Sequence, residues 1–195
     1  MVLAGGLNPK PLKTSSGCDS EALITIGNRP MIEYVVNALK HTPEIGRIVI
    51  AGHRDNLTAV FDDDSELILV EGGGSAVATL QRGLQALGAQ DPGLPPRLVL
   101  VTAGDIPMIT PEAIVDFIHQ GQKRKGDLYY PVVTREASER KYPGVTRTYV
   151  QLREGEFTGG NLILVNPEIV PRCAVLADKM VERRKNPLAL SRLLG

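Results

Sequence analysis

Met1-Val2-Leu3-Ala4-Gly5-Gly6 is an apolar run that breaks into two glycines, with Lys10 and Lys13 close behind. The stretch reads as a first β-strand ending in a phosphate-binding loop. Glycines let a backbone turn sharply and bring its N–H groups against an anion, and nearby ammonium groups neutralise the charge that arrives. A nucleotide phosphate is the ligand that suits such a loop. Neither G-x-x-x-x-G-K-[ST] nor G-x-G-x-x-G occurs, so the signal is not that of a P-loop or a dinucleotide-binding turn. Taken alone, the same residues also read as a plain turn at a strand end.

Downstream of this opening, apolar β-branched runs recur at residues 47–51, 67–70, 98–102, 128–133 and 162–165, with helical patterns between them. That alternation predicts an α/β sheet covered on both faces. Pro30 opens a helix over residues 31–40, and Ser75 caps one carrying Val77, Leu80, Leu84 and Leu87. Thr110-Pro111-Glu112 starts a third, with Ile114, Val115, Phe117 and Ile118 on its apolar face. Residues 90–96 and 123–126 read as surface connections. From 142 to 158 the pattern changes: Arg147-Thr148-Tyr149-Val150-Gln151-Leu152-Arg153 alternates as a strand and Glu154-Gly155-Glu156 turns back, which predicts a hairpin excursion. Polar helices follow residue 165, and Asp178 is read as a helix N-cap.

Composition narrows the function. At 195 residues, 43% hydrophobic and 23% charged, the chain is expected to form one globular domain. Lysine plus arginine and aspartate plus glutamate both number 22, so no global positive field exists to hold a nucleic-acid backbone. No apolar stretch approaches the roughly 20 residues that span a bilayer and no signal-like start is present, so a cytoplasmic protein without membrane partners is expected. Two cysteines, Cys18 and Cys173, cannot make a disulfide framework, and His41, His53 and His119 lack ligand spacing.

Val101-Thr102-Ala103-Gly104-Asp105-Ile106-Pro107 is an apolar strand that ends at a single carboxylate. Ligands of open α/β sheets collect at the carboxyl ends of strands, which makes Asp105 a candidate Mg²⁺ ligand. The alternative is a carboxylate capping the coming turn. Gly72-Gly73-Gly74-Ser75 offers a second close approach of backbone to ligand, or simply a loop with an N-cap. Asp62-Asp63-Asp64 lies between a helix and a strand and reads as a solvated acidic loop.

Leu3-Ala4-Gly5-Gly6 with Lys10, Gly27-Asn28-Arg29-Pro30-Met31-Ile32-Glu33-Tyr34-Val35, Gly74-Ser75 and Gly104-Asp105-Ile106-Pro107 occur in that order. Together, over roughly residues 1–167, they resemble the MobA-like NTP transferases, the group of the molybdenum-cofactor guanylyltransferases. The resemblance implies a three-layer α/β/α Rossmann-like (GT-A-like) fold with a mostly parallel mixed sheet. It also implies transfer of a nucleotidyl group from an NTP to a small phosphorylated or hydroxylated acceptor, with Mg²⁺ on Asp105 and pyrophosphate leaving. Leu3, Ala4, Gly5, Gly6, Gly73, Gly74 and Ser75 would then bind the nucleotide. Lys10 and Lys13 would be catalytic, Lys10 by neutralising the departing pyrophosphate, and Gly160 and Asn161 would touch the acceptor. Asn161 alone also reads as an Asx turn.

Two features depart from the pattern. Relatives place a lysine before Ala-Leu, where this chain has Glu21 before Ala22-Leu23, and a carboxylate there repels phosphate. Lys13 or Arg29 supplying the charge, a cationic or hydroxylic acceptor, or reduced activity would each answer it. Relatives also continue into a final strand that is not recognisable here, so a C-terminal strand is expected to be missing. Rival readings are a glycosyltransferase, disfavoured because no Asp-x-Asp pair ends the strand, and a non-catalytic nucleotide-binding module. Apolar residues on the late hairpin make a homo-oligomer conceivable.

Overall fold

A computed structural model of the chain describes residues 1–6, 20–62, 64–90 and 98–183. The first half runs β1 (Val2–Ala4), a 3-10 turn (Glu21–Leu23), β2 (Thr25–Ile26), β3 (Arg29–Pro30), α1 (Met31–Lys40), β4 (Ile48–Gly52), α2 (Arg54–Phe61), β5 (Leu67–Glu71) and α3 (Ala76–Gln90). The second half runs β6 (Val99–Ala103), α4 (Pro111–Gln122), β7 (Leu128–Tyr129), β8 (Val132–Thr134), α5 (Arg135–Lys141), β9 (Val150–Leu152) and β10 (Gly155–Gly159). It closes with β11 (Leu162–Val165), a 3-10 turn (Pro167–Ile169) and α6 (Val170–Arg183).

Alternation of side chains decides the layers. The main sheet has the order β5-β4-β1-β6-β11-β7, parallel from β5 to β6, with β11 antiparallel to both its neighbours. Val2, Ile48, Ile50, Leu100, Leu162 and Leu164 bury one face against Ile32, Val35 and Leu39 of α1, Leu57 of α2 and Ile114 and Ile118 of α4. Val49, Ala51, Val99, Val101 and Val165 bury the other against Leu80, Leu84 and Leu87 of α3 and Val170 of α6. Strands covered on both sides lose the polar half of their alternation, and β4 is buried at all five positions. The Met1 amine, donating to the Leu100 carbonyl at 2.7 Å, is pushed down to about 5 by burial and so is uncharged at neutral pH.

Helix starts follow the sequence signals closely. Thr110 accepts from the Ala113 N–H ahead of Pro111, and Ser75 accepts from the Ala78 N–H at 3.1 Å. The Gly27-Asn28 dipeptide closes the β2–β3 hairpin, with Gly27 at φ 65°. The late excursion is a three-stranded sheet, β8-β10-β9, in which β9 and β10 are the expected hairpin. Val132, Val150 and Leu152 of this sheet are exposed.

Three expectations are corrected. Residues 128–133 do not form one strand: Tyr130 and Pro131 interrupt the run, leaving β7 in the main sheet and β8 in the excursion. Proline has no N–H for a ladder, and the Pro131 carbonyl instead accepts from the Gly160 N–H at 2.9 Å. Asp178 lies inside α6 and caps nothing. The acidic loop is not merely solvated, because Lys40 Nζ lies 2.7 Å from Asp64 and 2.9 Å from Glu66; Asp63 is outside the described residues. Helix α5 had no apolar stripe to announce it. Thr134 caps it, and Arg135 pairs with Glu139 one turn on at 2.6 Å and ties the helix to Glu156 of β10 at 3.1 Å. Residues 91–96 of the expected 90–96 connection lie outside the described residues. Among the described residues no helix is long and apolar enough to cross a membrane.

Candidate functional site

The chain lays down β1, moves to one side through β4 and β5, then returns across β1 to place β6 on the other side. The reversal falls between β1 and β6, and the crevice at such a switch point is where open α/β sheets bind ligands, beyond the carboxyl ends of the strands. Val2 and Leu3 pair with Thr102 and Ala103, and the Gly104 N–H bonds the Leu3 carbonyl at 3.0 Å. The next residues out from these two ends are Gly5-Gly6 and Asp105, on strands about 4.8 Å apart.

The other expected residues arrive on the same rim. Gly73, Gly74 and Ser75 follow the carboxyl end of β5. Because β11 is antiparallel, it brings its amino end there, and the Asn161 carbonyl accepts from the Ala103 N–H at 3.3 Å. Gly160 and Asn161 therefore stand beside the Gly104-Asp105 turn. Lys10 and Lys13 lie outside the described residues.

Glycines on the rim divide into two kinds. A methyl on Gly73 would stand 2.5 Å from the Ala78 Cβ, and one on Gly160 would stand 2.8 Å from the Pro131 Cγ, so protein packing already requires glycine at both. Among the described residues, a methyl on Gly6 or Gly74 would meet nothing within 4 Å, and one on Gly5 would meet only the Thr79 hydroxyl at 3.7 Å. Gly5, Gly6 and Gly74 are thus the open positions where backbone can meet a ligand. Leu3 packs in the core and Ala4 is buried, so their contribution to the rim is backbone. Ser75 spends its hydroxyl as the cap of α3.

Thr79 was not recognised from the sequence, although a hydroxyl on the apolar stripe of α3 was visible there. It is buried, accepts from the Gly73 N–H at 2.9 Å and donates to the Ser75 carbonyl at 2.8 Å. It also stands near Gly5, where a methyl would come within 3.7 Å of it, so the loop after β5 is anchored next to the loop after β1. Arg82 adds a bond to the Gly72 carbonyl, and Glu71 accepts from the Arg54 N–H at 2.9 Å at the neighbouring strand end.

Glu21 is held at the same edge from both sides. Ser20 donates to the Ala4 carbonyl at 3.2 Å, and Ala22 packs so closely under Gly104 that a methyl there would come within 3.0 Å. A separate cleft of about 410 Å³ lies along α4, lined by His41, Pro43, Glu112, Asp116 and His119, and shares no residue with the rim.

The MobA-like NTP transferase domain family matches residues 1–191. A hypothetical transferase of Thermus thermophilus is 34% identical, covering all of this chain and 76% of that one, with a TM-score of 0.78. The chain belongs to the MobA-like NTP transferase domain family. Its members are nucleotidyltransferases, and this MobA-like domain is an enzyme of that class. The fold is also that of a CMP:2-keto-3-deoxy-manno-octonic acid synthetase complexed with CTP, at 12% identity, 98% and 83% coverage and a TM-score of 0.65. It is shared with a 4-diphosphocytidyl-2C-methyl-D-erythritol synthase of Anaerococcus prevotii, at 17% identity, 86% and 69% coverage and a TM-score of 0.60. No functionally curated protein matches the sequence.

Proposed function

We propose that this MobA-like domain transfers a nucleotidyl group from an NTP to a hydroxyl or phosphate oxygen of a small acceptor, releasing pyrophosphate. The observation that carries the reading is the switch point between β1 and β6, flanked by the open Gly5-Gly6 loop on one strand and Asp105 on the other. Gly5, Gly6 and Gly74 would offer N–H groups to the triphosphate, and Lys10 and Lys13 would neutralise the β- and γ-phosphates. Gly160 and Asn161 would bound the acceptor side. The acceptor oxygen attacks the α-phosphorus in line: a new O–P bond forms, the α–β bridging P–O bond breaks, and pyrophosphate leaves with that electron pair. The acceptor's proton, where it has one, passes to solvent. Such a reaction asks mostly for positioning and for stabilisation of spread negative charge.

The donor set fits Mg²⁺ bound together with substrate. Among the described residues no group of three metal-binding side chains forms an all-protein site, but magnesium is commonly held by one or two carboxylates plus phosphates. Asp105 would hold it, and when bound the ion would supply charge neutralisation on the phosphates. The deciding test is calorimetric titration of GTP, CTP, ATP and UTP with Mg²⁺ against the native chain and Asp105→Ala. Metal-dependent binding of one nucleotide, lost in the variant, is expected; absence of binding by any triphosphate would overturn the reading.

A further inference from the structure

The bend at Tyr130-Pro131 lies opposite Gly159-Gly160-Asn161, where the ribbon formed by β7–β8 and β10–β11 leaves the main sheet for the excursion. Pro131 accounts for the glycine at 160. Tyr130 lies over the one at 159, where a methyl would collide with its hydroxyl and push the phenol aside. The phenol therefore lies across the Gly159 backbone. Its neighbour Tyr129 ends β7, and because β11 is antiparallel to both β6 and β7, Tyr130 follows the carboxyl end of β7 onto the rim that carries Gly104 and Asp105.

The hydroxyl is the unusual part. Tyr129 donates to the Arg124 and Gly126 carbonyls at 2.5 and 3.0 Å, and Tyr34 donates to the Ile26 carbonyl at 2.8 Å. Tyr130 is 52% exposed, and its hydroxyl makes no hydrogen bond among the described residues. A large aromatic side chain thus lies over Gly159, two residues from Asn161, with no partner for its hydroxyl among the described residues.

We propose that Tyr130 orients the acceptor by hydrogen-bonding one of its hydroxyl groups, which makes a polyol or sugar the acceptor class. The inference rests on the nucleotidyl-transfer reading, since it takes the rim beside Asn161 as the acceptor side. A phenol both donates and accepts, which suits a hydroxyl group.

The test uses the full chain labelled with 3-fluorotyrosine, whose five tyrosine signals are few enough to resolve. The Tyr130 signal is assigned by its loss in Tyr130→Phe. With Mg²⁺ and the α,β-methylene analogue of the triphosphate selected by calorimetry, the protein is titrated with glycerol, glycerol 3-phosphate and ribose 5-phosphate. At least one probe should move the Tyr130 signal and support pyrophosphate release from the natural triphosphate. Tyr130→Phe, which keeps the ring, should raise KM for that probe about tenfold, the size of one hydrogen bond. kcat and nucleotide affinity should stay within twofold. Gly159→Ala, which keeps the phenol but displaces it, should raise KM in the same way. If triphosphate binds in an Asp105-dependent manner and no probe moves the Tyr130 signal, or either variant leaves KM unchanged, the assignment is overturned alone. If no triphosphate binds, the nucleotidyl-transfer reading fails first and takes this one with it.

Discussion

Gly73 and Gly74 are adjacent and chemically identical, yet their surroundings predict opposite phenotypes. A methyl on Gly73 would stand 2.5 Å from the Ala78 Cβ, 2.7 Å from its carbonyl carbon and 2.8 Å from the Thr79 nitrogen, so the loop or the first turn of α3 must move. Either movement breaks the 2.9 Å bond from the Gly73 N–H to Thr79. Overpacking costs about 1–3 kcal/mol and the lost hydrogen bond about 1 kcal/mol more. Gly73→Ala should therefore destabilise by about 2–4 kcal/mol, a fall in Tm of roughly 5–15 °C for a chain of this length. Among the described residues a methyl on Gly74 would meet nothing within 4 Å, and Gly74 does not need a left-handed backbone. Gly74→Ala should leave Tm within about 2 °C, while its methyl enters the space assigned to the triphosphate and raises the nucleotide Kd about tenfold or more. Thermal melting and calorimetric titration of both variants decide the matter. Equal destabilisation by the two substitutions, or a Gly74→Ala protein that binds nucleotide normally, would refute the division of rim glycines into packing and ligand positions.

Glu21→Lys replaces a carboxylate between the anchored Ser20 and Ala22 by a cation and, on the proposed reading, should tighten triphosphate binding about tenfold; an unchanged Kd in the same titration would remove the repulsion argument. Asn161→Ala should raise the acceptor KM about tenfold while leaving nucleotide affinity within twofold, and equal loss of both would count against its place on the acceptor side. Lys40 is 29% exposed at its side chain and joins α1 to the start of β5 through Asp64 and Glu66. Hydrogen bonds to those carboxylates hold its pKa above the usual lysine value. A raised folded pKa contributes stability that is present below the unfolded value near 10.4 and is lost as pH rises through the folded one. Lys40→Met should accordingly cost about 1 kcal/mol in urea melts at pH 7, with the difference from the native chain shrinking above about pH 10.5; a difference constant to pH 11.5 would contradict this origin.

The layered sheet was legible because burial on both faces writes itself as β-branched runs and because Ser75, Pro111 and Pro30 mark helix entrances by local chemistry. The 31–40 helix and the 162–165 strand fall where the pattern put them. The places that misled were those where the deciding contact is remote. The proline at 131 was visible, but that it ends a strand by facing Gly160, 29 residues later, depends on a pairing no local pattern encodes. Helix α5, with the sequence Arg-Glu-Ala-Ser-Glu-Arg-Lys, has charge on nearly every face, and what holds it is an ion pair to β10. The same limit applied to the site. Gly73, Gly74 and Gly160 look alike as letters, and only the positions of Ala78 and Pro131 separate a glycine that packing demands from one left open.

The mixed direction of the sheet explains why these pieces meet at all. In an all-parallel sheet every strand would present its carboxyl end at the rim, and the strand after the excursion would begin at the opposite edge. Here β11 runs against β6, so its amino end, with Gly160 and Asn161, is delivered beside Gly104 and Asp105. The ribbon leading into it must then bend at that same edge, and Tyr130, Pro131, Gly159 and Gly160 are the residues that make the bend. On the proposed reading, the loops after β1 and β5 would take the nucleotide on one side of the β1–β6 crevice and the ribbon would take the acceptor on the other, so that a change of acceptor would need changes only in the bend and the excursion, while the glycine loops and Asp105 stay as they are.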